Sequence, residues 1–231
     1  MKGKQGAAFR ADFHMHTHYS IDSLSKPKDV LDAAVKRGLS AIAITDHDEI
    51  SGAFEARTIA AEEQLPLQVV VGEEVSTDEG DLLTYFLKRR IKPGPLAEAL
   101  AEVKKQGAIC SAAHPYDFIR HGIKIEQLAP SLLAKIDAIE AFNARITVPS
   151  HNARALAFAV SHGKPVLAGS DAHHPSEVGA AFVEFSGIKK LDANNILSAQ
   201  RTLSGNLSPK YVHAFSRYAV LRKKLFRLAK R

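Results

Sequence analysis

Ala41-Ile42-Ala43-Ile44-Thr45-Asp46-His47 is the stretch on which the reading of the fold turns: four apolar residues and a threonine run straight into a carboxylate and an imidazole. A strand apolar on both faces belongs to a sheet covered by helices. Helical spacing flanks it, over 27–37 before and 51–64 after, with Pro27 placed for a helix start and Gly38 for a stop. The same unit recurs along the chain. Strands expected over 11–14, 67–71, 108–113, 136–142 and 166–170 each lead into acids or histidines: His14 and His16, Glu73 and Glu74, His114, Glu140, then Asp171 and His173. Further strands are expected over 82–87 and 181–185. Further helices are expected over 95–106, 149–162 and 192–203, with a last one in the tail.

Strand–helix alternation of this kind argues for an α/β chain with a parallel sheet, either a closed barrel or an open doubly wound sheet. The titratable residues all fall at the carboxyl ends of strands, the rim where parallel α/β folds place their active sites. Six strand ends feeding one site favour the barrel, because an open sheet offers a single crevice.

Bulk composition fits one large domain. The 231 residues are 45% apolar and 24% charged, ordinary for a globular protein with a sizeable core. Cys110 is the single cysteine and lies in an apolar strand, so no internal disulfide can form and the residue reads as core. The opening residues carry two lysines with no apolar run behind them, and no stretch approaches the ~20 apolar residues of a membrane span. The expectation is a cytoplasmic protein without a transmembrane segment. The net charge of +6 is unevenly placed: residues 210–231 hold eight Lys or Arg and no acid, and removing those eight leaves the rest at −2.

Chemistry enters with His14-Met15-His16, whose two imidazoles share one face of an extended chain. Asp171-Ala172-His173 repeats that spacing with one carboxylate, and His114 and His47 stand at other strand ends. Imidazole and carboxylate together suit Zn²⁺, Mn²⁺ or Fe²⁺. Burying so many titratable groups without a shared cation is unfavourable, so a metal centre is expected. Of Glu73 and Glu74 one faces the site and could bridge two cations. A site of two or three metals generates a hydroxide near neutral pH and suits displacement at phosphorus. Neither a Walker loop nor a dinucleotide fingerprint is present in the sequence.

ADFHMHTHYSIDSLSKPKDVLDAAVKRGLSAIAITDHDEISGA, residues 11–53, resembles the opening of the PHP (polymerase and histidinol phosphatase) family. VVVGEEVST, AAHPYDF, IDAIEAFNAR and LAGSDAHHP are similar to its later blocks, in order, so the resemblance runs from about Ala11 to Val183. It implies a distorted (β/α)7-type, TIM-like barrel holding two or three divalent ions. By that resemblance the ligands are His14 and His16 of H-x-H, Asp22, His47 of T-D-H, Glu74 of G-x-E, His114 of A-H-P, and Asp171 and His173 of S-D-A-H. It makes Glu74 the bridging residue, and gives Asp22, His47, Glu74 and His173 catalytic parts. Where many members carry a further histidine ligand shortly after G-x-E, this chain has Gly80-Asp81-Leu82-Leu83, which nominates Asp81 as the replacement.

The implied activity is phosphoester hydrolysis by a metal-activated water, on nucleotides, short oligonucleotides or another small phosphate ester. Histidinol phosphate is the alternative substrate, and a non-catalytic accessory module the alternative role. An amidohydrolase would also open on H-x-H, but many of those need a lysine at a strand end, and no strand end here offers one. Arg120, His121 and Arg145 are the candidates for binding substrate phosphate, Arg145 foremost because it trails a strand end. The expected division is a catalytic domain over 1–208 and a basic amphipathic helix over 209–231. In that helix Tyr211, Phe215, Tyr218, Leu221, Leu225 and Leu228 form an apolar stripe expected to pack on the barrel. Its basic face could meet nucleic acid.

Overall fold

The computed structural model describes residues 8–229, with side chains described through residue 226. β1 (Phe9–Asp12), β2 (Ala41–Ile44) and β3 (Gln68–Thr77) lie side by side and parallel, joined by α1 (Pro27–Lys36) and α2 (Ser51–Glu62). β3 then turns back tightly into β4 (Gly80–Tyr85). Gly80 sits at φ +116°, and a Cβ there would meet the Ile123 backbone at 2.5 Å, so glycine is required. After α3 (Leu96–Gln106) come β5 (Ile109–Ala112), α4 (Pro130–Leu133), β6 (Ala138–Asn143), α5 (Ser150–Ser161) and β7 (Val166–Gly169). β8 (Ala181–Phe185), α6 (Ala193–Ser198), β9 (Arg201–Gly205) and α7 (Val212–Ala229) complete the chain.

The sheet runs β7-β6-β5-β4-β3-β2-β1-β8-β9. Beyond Asp12 the first strand continues along β7: Phe13 N donates to Ala168 O at 3.2 Å, and Asp171 N to His14 O at 2.7 Å. Those bonds bring β1 and β7 together, so β1–β7 form a nearly closed barrel with β8 and β9 branching from β1. The side chains alternate as strands require. Ala41, Ala43, Val70, Leu83 and Tyr85 pack on one face, and Ile42, Ile44, Val69, Val71 and Leu82 on the other against the helices. On the first face Phe13 meets Tyr85 and Phe185 edge-on, at ring distances of 5.6 and 6.1 Å. The backbone of Leu191 exchanges hydrogen bonds with the Gln68 side chain and covers the end opposite the rim.

Two expectations need correction. The sheet is not wholly parallel: β4 is antiparallel to β3 and β5, and β8 to β1 and β9. In β4 the cause is the short turn at 78–79, which permits only a hairpin. The helix expected over 192–203 stops at Ser198. A capping box on Asp192 and Asn195 starts it, but residues 201–205 pair with β8 as β9. Tertiary strand pairing there overrides the helical spacing.

Candidate metal centre

Glu74 is the hub. It lies on β3 where His47 bridges to it, one per cent exposed, and its two oxygens serve different partners. Oε1 is 3.0 Å from His114 Nε2, while Oε2 is 3.2 Å from His14 Nε2, 3.3 Å from His16 Nε2 and 3.2 Å from His47 Nδ1. Glu73 points the other way, accepting from Ile91 N at 2.8 Å, with Arg90 at 3.7 Å. The period of two along the strand thus turns one of the adjacent glutamates into the site and the other out of it.

Around this hub the nominated residues converge. His14 and His16 are fully buried with their Nε2 atoms 3.1 Å apart, and Asp171 Oδ1 is 3.4 Å from His16. Asp22 Oδ2 lies 2.8 Å from His173 Nε2 and 3.6 Å from His47 Nε2. Four groups of donor atoms result, each within 4.8 Å: His14, His16 and Asp171; His14, Glu74 and His114; His16, Asp22, His47 and His173; and His47, Glu74 and Asp81. All eight residues named by the resemblance are in them. Asp81 joins because β4 is antiparallel, which puts the start of that strand, rather than its end, on the rim.

Electrostatics agree with a cation site. Burial alone would raise the carboxyls of Glu74 and Asp171, yet both are held well below the ordinary range, chiefly by His14 with His47 or Arg120. Burial would lower His14 and His47, but Asp171 and Glu74 win at His14, and Glu74 with Asp22 raises His47 to about 10. His16, with burial and His173 against it, is pushed down to about 3. The cluster therefore needs positive charge, which protons on imidazoles supply here and divalent ions supply better. Asp22 Oδ1 and His114 Nδ1 are buried without a hydrogen-bond partner among the described residues. The donor set of imidazoles and carboxylates fits Zn²⁺, Mn²⁺ or Fe²⁺.

Several residues outside the nominated set hold the donors in place. Glu140 accepts from the His14 ring at Nδ1 (2.9 Å) and from His114 N (2.6 Å). Asp46 fixes the loop after β1 through Thr17 N, Thr17 Oγ1 and Ser20 Oγ at 2.6–2.8 Å. Ser20 in turn meets His16 Nδ1 and His47 N. Asp12 takes Ser170 N and Gly179 N, both at 2.9 Å. Asp12 and Ser20 lie inside the block that resembles the PHP opening but not at its ligand positions; for Asp12 a carboxylate inside an apolar strand was a further signal. His114 and Asp171 sit at φ +24° and +55°, in a region non-glycine residues seldom occupy.

The substrate-binding candidates separate. Arg120 faces the pocket, donating to Asp117 at 2.7 Å, to Asn143 at 3.2 Å and to Asp171. His121 does not line that pocket; its Nδ1 is 2.8 Å from Oδ1 of Asp81, a member of the donor group with His47 and Glu74. Arg145 is buried, and its guanidinium is engaged by Asp171 O, Val212 O and Ser216 Oγ, with Glu177 at 3.5 Å. It ties the metal loop to α7 and also lines the pocket that Arg120 faces. α7 itself lies across the rim. Among its described side chains Val212 and Ala219 are buried; Tyr211, Phe215, Tyr218, Leu221 and Leu225 remain 38–67% exposed, and Leu228 lies outside the described side chains. Of that stripe Phe215 packs on the barrel, stacking on His174 with ring centres 4.9 Å apart, while the other described members stay largely exposed. Val212 and Ala219 are buried on another face, and Arg145 and Lys223 bonds fix the rotation, Lys223 Nζ donating to His18 O at 2.7 Å.

A nearly closed α/β barrel with one rim lined by imidazoles and carboxylates is the architecture of a metal-dependent hydrolase. The chain belongs to the PHP family: the PHP domain profile matches residues 12–159, and the PHP-associated profile 149–202. Two uncharacterised proteins of Methanocaldococcus jannaschii are similar to it. One is 34% identical over 58% of this chain and 82% of its own, the other 31% identical over 77% and 70%. A two-domain Bacteroides vulgatus protein containing a predicted PHP-like metal-dependent phosphoesterase shares the fold with a TM-score of 0.64, at 22% identity over 82% of this chain and 61% of that one. No described helix is long and apolar enough to cross a membrane.

Proposed function

We propose that this protein is a cytoplasmic phosphoesterase that uses two or three divalent ions, Zn²⁺, Mn²⁺ or Fe²⁺, to hydrolyse nucleotides or short oligonucleotides. The observation that carries this reading is Glu74, whose two oxygens face four imidazoles in the middle of four overlapping donor groups. His14, His16, Asp22, His47, Glu74, His114, Asp171 and His173 would hold the ions, with Asp81 as a further donor. Bound ions would supply Lewis acidity and a water acidic enough to attack at neutral pH.

The chain's own residues do the rest. Glu140 orients His14, and Arg145 orients the Asp171 backbone. Arg120 presents positive charge to a phosphate in the pocket that Asp22 and His173 also line. His173 and Asp22, with Nε2 and Oδ2 2.8 Å apart in one donor group, would hold an ion beside the departing alkoxide, which would take its proton from water in the pocket. The basic α7 suits an anionic polymer or nucleotide.

Release of phosphate or nucleotide from mononucleotides, 5′-phosphorylated oligonucleotides and histidinol phosphate, each with Mn²⁺, tests the reading. Nucleotide or oligonucleotide turnover that disappears in His14→Ala is expected. Turnover of histidinol phosphate alone would replace the substrate assignment, and no turnover of any phosphoester with any divalent metal would overturn the enzyme.

A further inference from the structure

α7 meets the barrel with one face. Val212, Ser216, Ala219 and Lys223 recur at steps of four, three and four, which keeps them on one side of a helix. Val212 and Ala219 are buried, Ser216 Oγ accepts from Arg145 at 2.9 Å, and Lys223 donates to the carbonyls of His18 and Ser20. Ala214, Tyr218, Leu221 and Leu225 recur at the same steps two residues on, about 200° further round the axis. They point away from the barrel, and Tyr218, Leu221 and Leu225 are 57–59% exposed. The sequence carries the series on to Leu228.

Positive charge borders this outer face on both sides. Arg217 and Lys224 stand along one edge and Arg222 along the other, all exposed, and no acid occurs in residues 210–231. Lys26, just before α1, lines one cavity with Arg222 and Leu225 and widens the basic border. Glu55, the acid in that cavity, already accepts from the Tyr19 hydroxyl at 2.8 Å. A second copy of the helix laid on this face would set like charges against one another. Nucleic acid would meet the arginines and the lysine, but leucine offers a base neither a stacking plane nor a hydrogen bond. An anionic lipid surface answers both features at once: acyl chains take the leucines, headgroups take the basic borders, and tyrosine suits the boundary between them. α7 is not long and apolar enough to cross a bilayer, so it would lie along one.

We propose that the outer face of α7 is a membrane-surface anchor: Tyr218, Leu221 and Leu225 enter the boundary between headgroups and acyl chains of an anionic bilayer, while Arg217, Arg222 and Lys224 hold the headgroups. This goes beyond the phosphoesterase reading and does not depend on it. α7 also walls the pocket that Asp22 and His173 line, so an anchored chain holds that pocket beside the bilayer. The binding is peripheral and reversible. It needs anionic lipid, and it weakens with salt because part of the attraction is between exposed charges.

Co-sedimentation of the full chain with lipid vesicles tests the anchor. Vesicles of phosphatidylcholine with about one third phosphatidylglycerol should bind the wild type about tenfold or more tightly than phosphatidylcholine alone, and molar salt should weaken that binding. Leu221→Ser/Leu225→Ser should bind the anionic vesicles about tenfold or more weakly, and Arg222→Ala/Lys224→Ala likewise. Both pairs are exposed, so unchanged thermal melts should show that the variants fold. No binding of anionic vesicles by the wild type, or equal binding by either variant, overturns the anchor. A wild type that ignores vesicles but forms a dimer in analytical ultracentrifugation, lost in the leucine variant, makes the face an interface between copies instead. One that ignores vesicles but binds oligothymidylate through Arg222 and Lys224 makes it a nucleic-acid surface and likewise overturns the anchor.

Discussion

Glu140 never enters the donor groups, yet it is the residue that fixes two of them, through the His14 ring and the His114 amide. A carboxylate behind a metal-binding imidazole sets its tautomer and basicity, and losing such a partner typically weakens metal binding by ~10–100-fold. Glu140→Gln should therefore lower Mn²⁺ affinity by about that factor in calorimetry. Glu73, one residue from the hub but facing outward, tests a different property. Burial pushes its carboxyl up to about 8, from an ordinary 4.5. The unfolded chain releases this proton from about 4.5 upward while the folded chain keeps it to about 8, so stability falls across that window and is level above it. Glu73→Gln should remove this part of the slope. Its melting temperature should approach or exceed that of the wild type as pH rises toward 9, measured by scanning calorimetry at intervals from pH 5. A difference between the two proteins that does not change with pH would rule out the titration.

At the scale of elements, α7 and β4 carry the departures from expectation. Arg145 is the strap between α7 and the metal loop, so Arg145→Ala should free the helix. The amides of 212–223 are expected to exchange hydrogen about tenfold faster or more while those of β1–β7 are unaffected. Equal exchange in variant and wild type would show that Val212, Ala219 and the Lys223 bonds suffice to hold the helix. β4 brings Asp81 to the rim by running backward, and places it 2.8 Å from His121 and within the His47–Glu74 group. Asp81→Ala should reduce the metal bound per chain without preventing folding, read by elemental analysis beside a thermal melt. Unchanged metal content would make Asp81 a partner of His121 alone.

For the whole molecule, the barrel and its rim were legible because they depend on local pattern. Apolar strands ending in His or acid can be recognised one at a time, and the order of strand ends around a barrel brings them together. The pairing of His14 with His16 follows from the period of two along extended chain, and Asp171 and His173 repeat its spacing; that period says only that one of Glu73 and Glu74 faces the site, and the resemblance to the PHP blocks chose Glu74. What escaped depends on partners far away in sequence. β9 forms because β8 offers an edge, and Arg145 is buried because α7 closes over it. α7 turns Val212 and Ala219 inward, where the carbonyls of His18 and Ser20 hold Lys223 and Arg145 holds Ser216. His114 and Asp171 take left-handed backbone, which His and Asp enter more readily than most residues but still seldom, so no local pattern announces it.

All of these parts answer to one claim, that the Glu74-centred cluster is a multi-metal centre. Elemental analysis of the purified wild type and Glu74→Gln, each dialysed against Mn²⁺ or Zn²⁺ and then freed of loosely held ion, tests it most directly. The account predicts about two to three ions per wild-type chain and about one or fewer in the variant, since Glu74 joins the donor groups to one another. Less than one ion per chain in a folded wild type would contradict it.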